Sequence, residues 1–298
     1  MISLVNDAVR ALRRHPALWA MRLAWLGLPW SVGGLISRLV AGQDNGMIWL
    51  CAVGAWIGWT VVLTGLLVRG PWALTALRVV APGPLVIAVV GVMSETADVS
   101  ALVHGTIVLI IALLPEVAGD IADGISYGDE RRIMLRVPLA VAAGGLPVTW
   151  AISATGAVAG PLMLSSGRWW GVPLTAVGWL VCWQGVRAMH QLSRRWIVFV
   201  PNGFVVHDLM ATREPFLLRR QDVVAIGLAE NSVGADEEVI DVAEGATGAK
   251  IEAQLDGQVE VVPVRRGVAH VQVARAVRFA PTRPGLMLRE ARERNIPR

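Results

Sequence analysis

Three acidic side chains lie in one short stretch of the chain, Glu116-Val-Ala-Gly-Asp120-Ile-Ala-Asp123-Gly124. Their spacings of four and three residues would place Glu116, Asp120 and Asp123 on one face of an α-helix. Carboxylate oxygens are the ligands that divalent cations prefer, and a bound cation can hold a phosphorylated lipid or nucleotide. The pattern therefore predicts a candidate metal site, and a divalent cation is the one cofactor that the sequence suggests.

A second interpretation of the same acids requires no ligand. They would begin a solvated helix in a loop that also carries Arg131, Arg132 and Arg136. Loops that carry both signs of charge are common beside lipid headgroups, and exposed ion pairs contribute little energy. The two interpretations differ in whether the carboxylates converge on one point.

The fragment Asp120-Ile-Ala-Asp123-Gly124 resembles the opening of the CDP-alcohol phosphotransferase signature. The resemblance implies paired aspartates that bind the metal ions used in phospholipid headgroup transfer. That family continues with Ala-Arg and a second pair of aspartates one turn apart. Here Tyr127-Gly128 follows instead, and no acidic residue occurs between Glu130 and Asp208. A metal-dependent lipid phosphotransferase is therefore an alternative function that lacks half of its metal ligands.

A second polar group consists of Glu95, Asp98 and His104. Carboxylates and a histidine within a membrane can relay protons, as a small transporter or a lipid-handling permease would require. A short exposed loop followed by one histidine near a helix end explains the same residues without transport. Both explanations stay open at the level of sequence.

Other signatures of chemistry are missing from the chain. It contains no Walker A sequence, no His-x-x-x-His pair and no Cys-x-x-Cys pair, so nucleotide hydrolysis and zinc chemistry have no support. Cys51 and Cys182 lie inside apolar stretches, where cysteine is usually a small buried hydrophobe. These observations favour a protein that is not an enzyme, without excluding one.

The composition places the chain in a membrane. Hydrophobic residues make up 54% of the 298 residues and charged residues only 17%, and the mean hydropathy is +0.55. This apolar excess is concentrated before residue 191, whereas 15 of the 27 basic residues follow it. A net charge of +4 fits arginine-rich loops beside anionic lipids better than a nucleic-acid partner.

Six segments are predicted as transmembrane helices, because each approaches the roughly 20 apolar residues that a bilayer core requires. The third contains Arg78, Pro82 and Pro84 and the fourth is short, so these two are expected to cross together or not at all. The predicted spans are 17–40, 47–68, 75–93, 101–115, 137–159 and 169–188.

The arginines predict the orientation of these spans. With both termini in the cytoplasm, eleven arginines lie at cytoplasmic ends and loops and only Arg168 lies in an outer loop. Positive residues accumulate on the cytoplasmic side of bacterial inner-membrane proteins. The eleven are Arg10, Arg13, Arg14, Arg69, Arg78, Arg131, Arg132, Arg136, Arg187, Arg194 and Arg195.

Residues 191–298 are predicted to form a separate, mostly β domain that ends in a helix. Two β-rich runs flank the turn Pro201-Asn202-Gly203, which favours a hairpin, and Pro284 is typical of a helix start. The hairpin RWIVFVPNGFVVHD and the closing FAPTRPGLMLREARERNIP resemble bacterial membrane-anchored pleckstrin-homology-like (PH-like) domains. The whole chain resembles a group of actinobacterial polytopic membrane proteins with such a domain.

The resemblance implies an interaction domain rather than a catalytic one. The acidic loop 230–248 departs from the basic rim that a phosphoinositide-binding domain would use, so protein docking is the better expectation. The sequence therefore predicts a non-enzymatic scaffold or assembly factor of the cell envelope, which contacts lipids through its helices and a protein partner through residues 191–298.

Overall fold

The computed structural model describes residues 14–96, 99–229, 239–264 and 271–297. The chain divides into two compact units that interleave along the sequence. A helical unit comprises Met1–Gly124 and Val148–His190, and a sheet unit comprises Ile125–Pro147 and Gln191–Arg298. The sheet unit therefore contains a stretch that the sequence predicts as a loop up to residue 136 and as the start of the fifth span, 137–159, after it.

The helical unit begins with two helices separated by a π-helical turn, Pro29–Gly33, and most of its later helices start at a proline or glycine. Proline fits the first turn of a helix because its missing N–H would have no partner there. The helices are α1 (Pro16–Leu28), α2 (Gly34–Leu39), α3 (Asn45–Val68), α4 (Pro71–Val80), α5 (Pro82–Met93), α6 (Val99–Ala112), α7 (Pro115–Ala122), α8 (Leu146–Ser165) and α9 (Gly171–Leu192).

Three helical stretches in the described part of the chain are long and apolar enough to cross a membrane: Asn45–Val68, Pro71–Met93 and Val141–Ser165. A fourth candidate is the pair Val99–Ala112 and Pro115–Ile125, which is bent by 57°. These four correspond to the predicted spans 47–68, 75–93, 137–159 and 101–115. The predicted spans 17–40 and 169–188 are helical but are not among the candidates, so a six-span bundle stays a prediction.

Glycines bring α8 and α9 together. A Cβ atom added to Gly156 would lie 2.7 Å from the carbonyl oxygen of Gly178, and one added to Gly160 would lie 2.3 Å from the backbone nitrogen of Thr175. Only glycine allows two helix backbones to approach so closely. Small residues therefore determine how closely this helical hairpin packs.

The sheet unit contains two four-stranded sheets. The first has the order β1-β2-β3-β4 and is antiparallel throughout, and the second has the order β5-β7-β8-β6, in which β6 runs parallel to β8. The strands are β1 (Arg131–Met134), β2 (Trp196–Val200), β3 (Gly203–His207), β4 (Phe216–Arg219), β5 (Val223–Leu228), β6 (Val239–Asp241), β7 (Ile251–Val261) and β8 (Gln272–Phe279).

One apolar core lies between the two sheets and a final helix, α10 (Pro284–Glu293). Phe199, Phe204 and Phe279 are fully buried in it, and Phe216 packs against it. Single antiparallel bridges, Leu135 with Pro281 and Thr212 with Pro263, connect the first sheet to segments that adjoin the second. The described strands do not form a closed barrel, and the PH-like assignment stays a proposal.

Candidate functional site

The helix α7 carries two acids of the predicted metal site, Glu116 and Asp120, and the third, Asp123, directly follows it. It begins at Pro115, and Glu116 in its first turn interacts favourably with the positive end of the helix dipole. Val117, Ala118, Ile121 and Ala122 are buried. This apolar face packs against α1 and α4, so the helix is fixed by burial rather than by its acids.

The acids of α7 do not converge on one point. Asp120 Oδ1 lies 3.1 Å from Nδ1 of His15, the residue that precedes α1. Asp123 belongs to the 3-10 turn that follows the helix. Among the described residues, no group of three or more histidine, cysteine or acidic side chains is arranged to hold a metal ion. Metal binding by Glu116, Asp120 and Asp123 therefore stays a prediction.

Gly124 has a packing role in this segment. A Cβ atom at residue 124 would lie 2.5 Å from Cβ of Arg69 and 3.0 Å from its Cδ, so the arginine stem lies directly on the glycine. The same two segments are also joined by a backbone hydrogen bond, which the Gly70 N–H donates to the Ile121 carbonyl at 3.0 Å. The Asp-x-x-Asp-Gly fragment thus has a structural reason for its glycine that involves no metal.

The structure describes two members of the second predicted group, Glu95 and His104, so the relay stays a prediction. Glu95 is exposed, has a φ of +55° and closes the end of α5: its N–H bonds the Val92 carbonyl, and the Thr96 N–H bonds the Gly91 carbonyl. This pair of bonds is the Schellman motif, in which glycine is the usual residue. Asp98 lies outside the described residues, and no hydrogen bond joins Glu95 to His104.

His104 connects α6 to the break between α1 and α2. Its Nδ1 lies 2.6 Å from the Ser31 hydroxyl oxygen and its Nε2 lies 2.9 Å from the Ala24 carbonyl oxygen. A serine hydrogen-bonded to histidine can be an activated nucleophile. Here, however, the ring is packed so tightly that a Cβ atom on Gly27 would lie 2.9 Å from its Cε1. His104 therefore has a structural role, in which its hydrogen bonds hold α6 against α1 and the turn that follows it.

Arg131 and Arg132, the remaining predicted polar candidates, lie on β1 of the sheet unit. The Arg132 guanidinium stands 5.3 Å from the centre of the Trp196 ring and 3.6 Å from the Glu130 carboxylate. Arg131 occupies the register position opposite Phe199 of β2. Both arginines therefore belong to the first sheet and help to attach its edge strand.

One motif match was overlooked in the sequence. Gly124-Ile125-Ser126-Tyr127-Gly128 fits the letters of the Gly-x-Ser-x-Gly elbow of serine hydrolases. That elbow requires a strand, a sharp turn and then a helix. Here a helix and a 3-10 turn come first, and strand β1 follows. The local order is the reverse of an elbow, so the match gives no support to serine hydrolysis.

Comparisons of this chain with protein-family models, with curated proteins and with solved structures find no match. The geometry of the described residues must therefore carry any functional argument. What it offers is a helical unit that contains candidate membrane spans and is continued by a two-sheet unit.

Proposed function

We propose that this chain is a non-enzymatic scaffold that holds a protein-binding sheet unit at the cytoplasmic face of a bacterial inner membrane. The observation that carries the proposal is the construction of the sheet unit from two segments, Ile125–Pro147 and Gln191–Arg298. The chain passes between the helical unit and the sheet unit three times, after Gly124, after Pro147 and after His190. The sheet unit therefore has three covalent attachments to the helices. Three chain connections, rather than one, keep this unit beside the helices, as a platform for assembly requires.

This construction also supports the six-span topology. Two segments of one compact unit must lie on the same side of the membrane, so the chain between them must cross an even number of times. Only α8 and α9 lie between them. If α8 crosses, α9 must cross as well, although Gln184 and Arg187 lower its hydropathy. The arginine distribution then favours the cytoplasmic side for both segments and for the termini.

The binding surface that we propose is the free edge of β4. This strand pairs with β3 along one side, and no described strand pairs along its other side. Leu217 is 42% exposed there, and Arg213, Arg219 and Arg220 are exposed around it. An unpaired edge presents backbone donors and acceptors that an extended segment can use.

The charges around this edge select the partner. The three arginines outnumber the flanking acids, Glu214 and Asp222, so the edge attracts an acidic segment. We therefore propose that an extended acidic segment of a partner protein adds to the first sheet as a fifth strand, with an apolar side chain against Leu217. The alternating directions of side chains along a strand would allow both contacts at once.

Photo-crosslinking in living cells tests this function. A photoreactive amino acid at Leu217 should give one adduct of defined mass, and the double change Arg219→Glu and Arg220→Glu should reduce that adduct several-fold. Gln254 is the matched control, because it is exposed on the central strand β7, where no further strand can add. Equal adducts at both positions, or none at Leu217, would refute the proposed surface.

A further inference from the structure

Two arginines of the helical unit lie at the end of α3. The Arg22 side chain, from α1, donates from Nε and Nη2 to the Leu66 carbonyl oxygen at 3.2 and 2.7 Å. Leu66 lies in the last turn of α3, whose carbonyl groups have no partner within the helix. Arg69 follows that turn directly and lies close enough to Arg22 for the two positive charges to repel each other.

Arg69 has a strained backbone. Its φ of 58° and ψ of 160° lie in a region that only glycine adopts freely. The conformation is held by bonds on both sides, from the Arg69 N–H to the Gly65 carbonyl and from the Gly70 N–H to the Ile121 carbonyl. The strained conformation holds Arg69 three residues after the Leu66 carbonyl that Arg22 binds.

The described residues supply no acidic partner to either arginine. Within residues 14–96, 99–229, 239–264 and 271–297, no carboxylate forms an ion pair with Arg22 or Arg69, and Asp120 Oδ1 lies 3.1 Å from His15 Nδ1 instead. Arg22 uses only two of its five N–H groups on the Leu66 carbonyl. The remaining N–H donors of Arg22 and the positive charges of both arginines therefore have no anionic partner among the described residues.

The surroundings of the two arginines are typical of the boundary between a bilayer core and its headgroups. Arg69 immediately follows the 24-residue candidate span Asn45–Val68. The Arg22 guanidinium lies 4.6 Å from the centre of the Trp19 ring, and Trp72, which is 56% exposed, is in the first turn of α4. Tryptophan prefers the boundary between hydrocarbon and water, where lipid phosphates lie.

We propose that Arg22 and Arg69 together bind the phosphate group of an anionic phospholipid. A phosphodiester oxygen pair matches the planar fork of a guanidinium, and one negative charge between two arginines removes their repulsion. Low hydration at this depth strengthens the interaction relative to one in water. This proposal is independent of the protein-binding surface on β4 and concerns the helical unit alone.

The test uses the full chain in lipid nanodiscs. Its thermal midpoint should rise when phosphatidylglycerol replaces part of the phosphatidylcholine, and native mass spectrometry should detect retained phosphatidylglycerol. Arg69→Gly removes one guanidinium and also relieves the backbone strain. This variant should be at least as stable as the wild type in pure phosphatidylcholine, yet bind phosphatidylglycerol roughly tenfold more weakly, as loss of one charge-assisted contact implies.

Arg22→Gln should weaken the same binding, and Arg168→Ala, an exposed arginine in the turn before α9, is the control that should not. An unchanged phosphatidylglycerol response in Arg69→Gly and Arg22→Gln would overturn the proposal. Inorganic phosphate added to phosphatidylcholine nanodiscs distinguishes the source of the phosphate. A shift of equal size with inorganic phosphate would assign the site to a free anion and overturn the lipid assignment.

Discussion

Arg195 and Asp208 form an ion pair inside the sheet unit. Their side chains are 1% and 0% exposed, and Arg195 donates from Nε and Nη2 to the carboxylate at 2.6–2.9 Å. Arg195 Nη1 also donates to the Arg136 carbonyl, and Asp208 accepts from the Met210 N–H. Every contact lies within one unit, so the pair connects the segment after β1 to the hairpin of β2 and β3.

Removal of one member should be costly, because the other would stay buried without its partner. We expect Asp208→Ala to destabilise the sheet unit by about 3–5 kcal/mol. The double change Arg195→Met and Asp208→Leu should recover most of that loss, since two apolar side chains leave no unpaired charge. Thermal unfolding of the full chain in detergent would measure both, and equal losses in the single and double variants would contradict this account.

The pairing of Arg195 with Asp208 could have been predicted from the sequence of the hairpin. The sequence favours the hairpin turn at Pro201-Asn202-Gly203, and the observed register pairs Trp196 with His207. Continued by one residue, that register sets Arg195 opposite Asp208. Counting arginines by membrane side assigned Arg195 to the headgroup region instead. The strained backbone of Arg69, by contrast, leaves no signal in the sequence, because arginine is an unusual residue for that conformation.

Tryptophan side chains donate hydrogen bonds to carbonyl groups that lack a helical partner because the residue four positions later is proline. Pro29 has no N–H for the Trp25 carbonyl four residues earlier, and Trp59 Nε1 of α3 donates to that carbonyl at 2.9 Å. The Trp25 indole donates in return to the Trp59 carbonyl, also at 2.9 Å. A second case joins α9 to α8: Pro161 releases the Ala157 carbonyl, which accepts from Trp179 Nε1 at 3.3 Å. In hydrocarbon no water could replace these donors.

A double-mutant cycle tests the first of these contacts. Trp59→Phe removes the donor and should destabilise the helical unit, whereas in a Pro29→Ala background the new backbone N–H can bond the Trp25 carbonyl. We expect the Trp59→Phe cost to fall by about 1 kcal/mol in that background. Thermal unfolding in nanodiscs is the measurement, and Trp30→Phe, at a site 83% exposed, is the control. An identical Trp59→Phe cost in both backgrounds would show that only packing matters.

At the scale of elements, the sequence predicts the regular structure well and the irregular structure poorly. Long apolar runs locate α3, α8 and α9, and alternating β-rich runs locate the hairpin. The run Arg131–Met134 was not predicted as a strand, because four residues with two arginines lack a pattern and their partner β2 begins 65 residues later. The π-helical turn at Pro29–Gly33 likewise has no sequence pattern of its own, and it packs against α5 and α6.

At the scale of the whole molecule, β1 belongs to a segment of the sheet unit that lies, in the sequence, between the two segments of the helical unit. The sequence suggests a boundary at residue 191, where apolar spans give way to β-rich runs. The structure adds Ile125–Pro147 to the same unit. Ile133 and Leu135 of this stretch are 2% and 4% exposed in the shared core. Composition changes mark where a chain leaves the membrane, and they carry no information about which loops rejoin a domain.

The fragment 191–298 should therefore fold poorly by itself, since it exposes the edge of β2 and leaves part of the core open. The end of β1 lies beside the start of β2, because Met134 pairs with Trp196 and the Leu135 N–H bonds the Arg195 carbonyl. A single polypeptide of residues 125–136, a short glycine-rich turn and residues 194–298 should fold in water.

Circular dichroism should show cooperative thermal unfolding for this fusion and not for 191–298. Ile133→Lys in the fusion is the matched control, and it should abolish the transition because it buries a charge in the core. If 191–298 unfolded as cooperatively as the fusion and at the same temperature, β1 would be dispensable and the three-attachment scaffold would lose its structural basis.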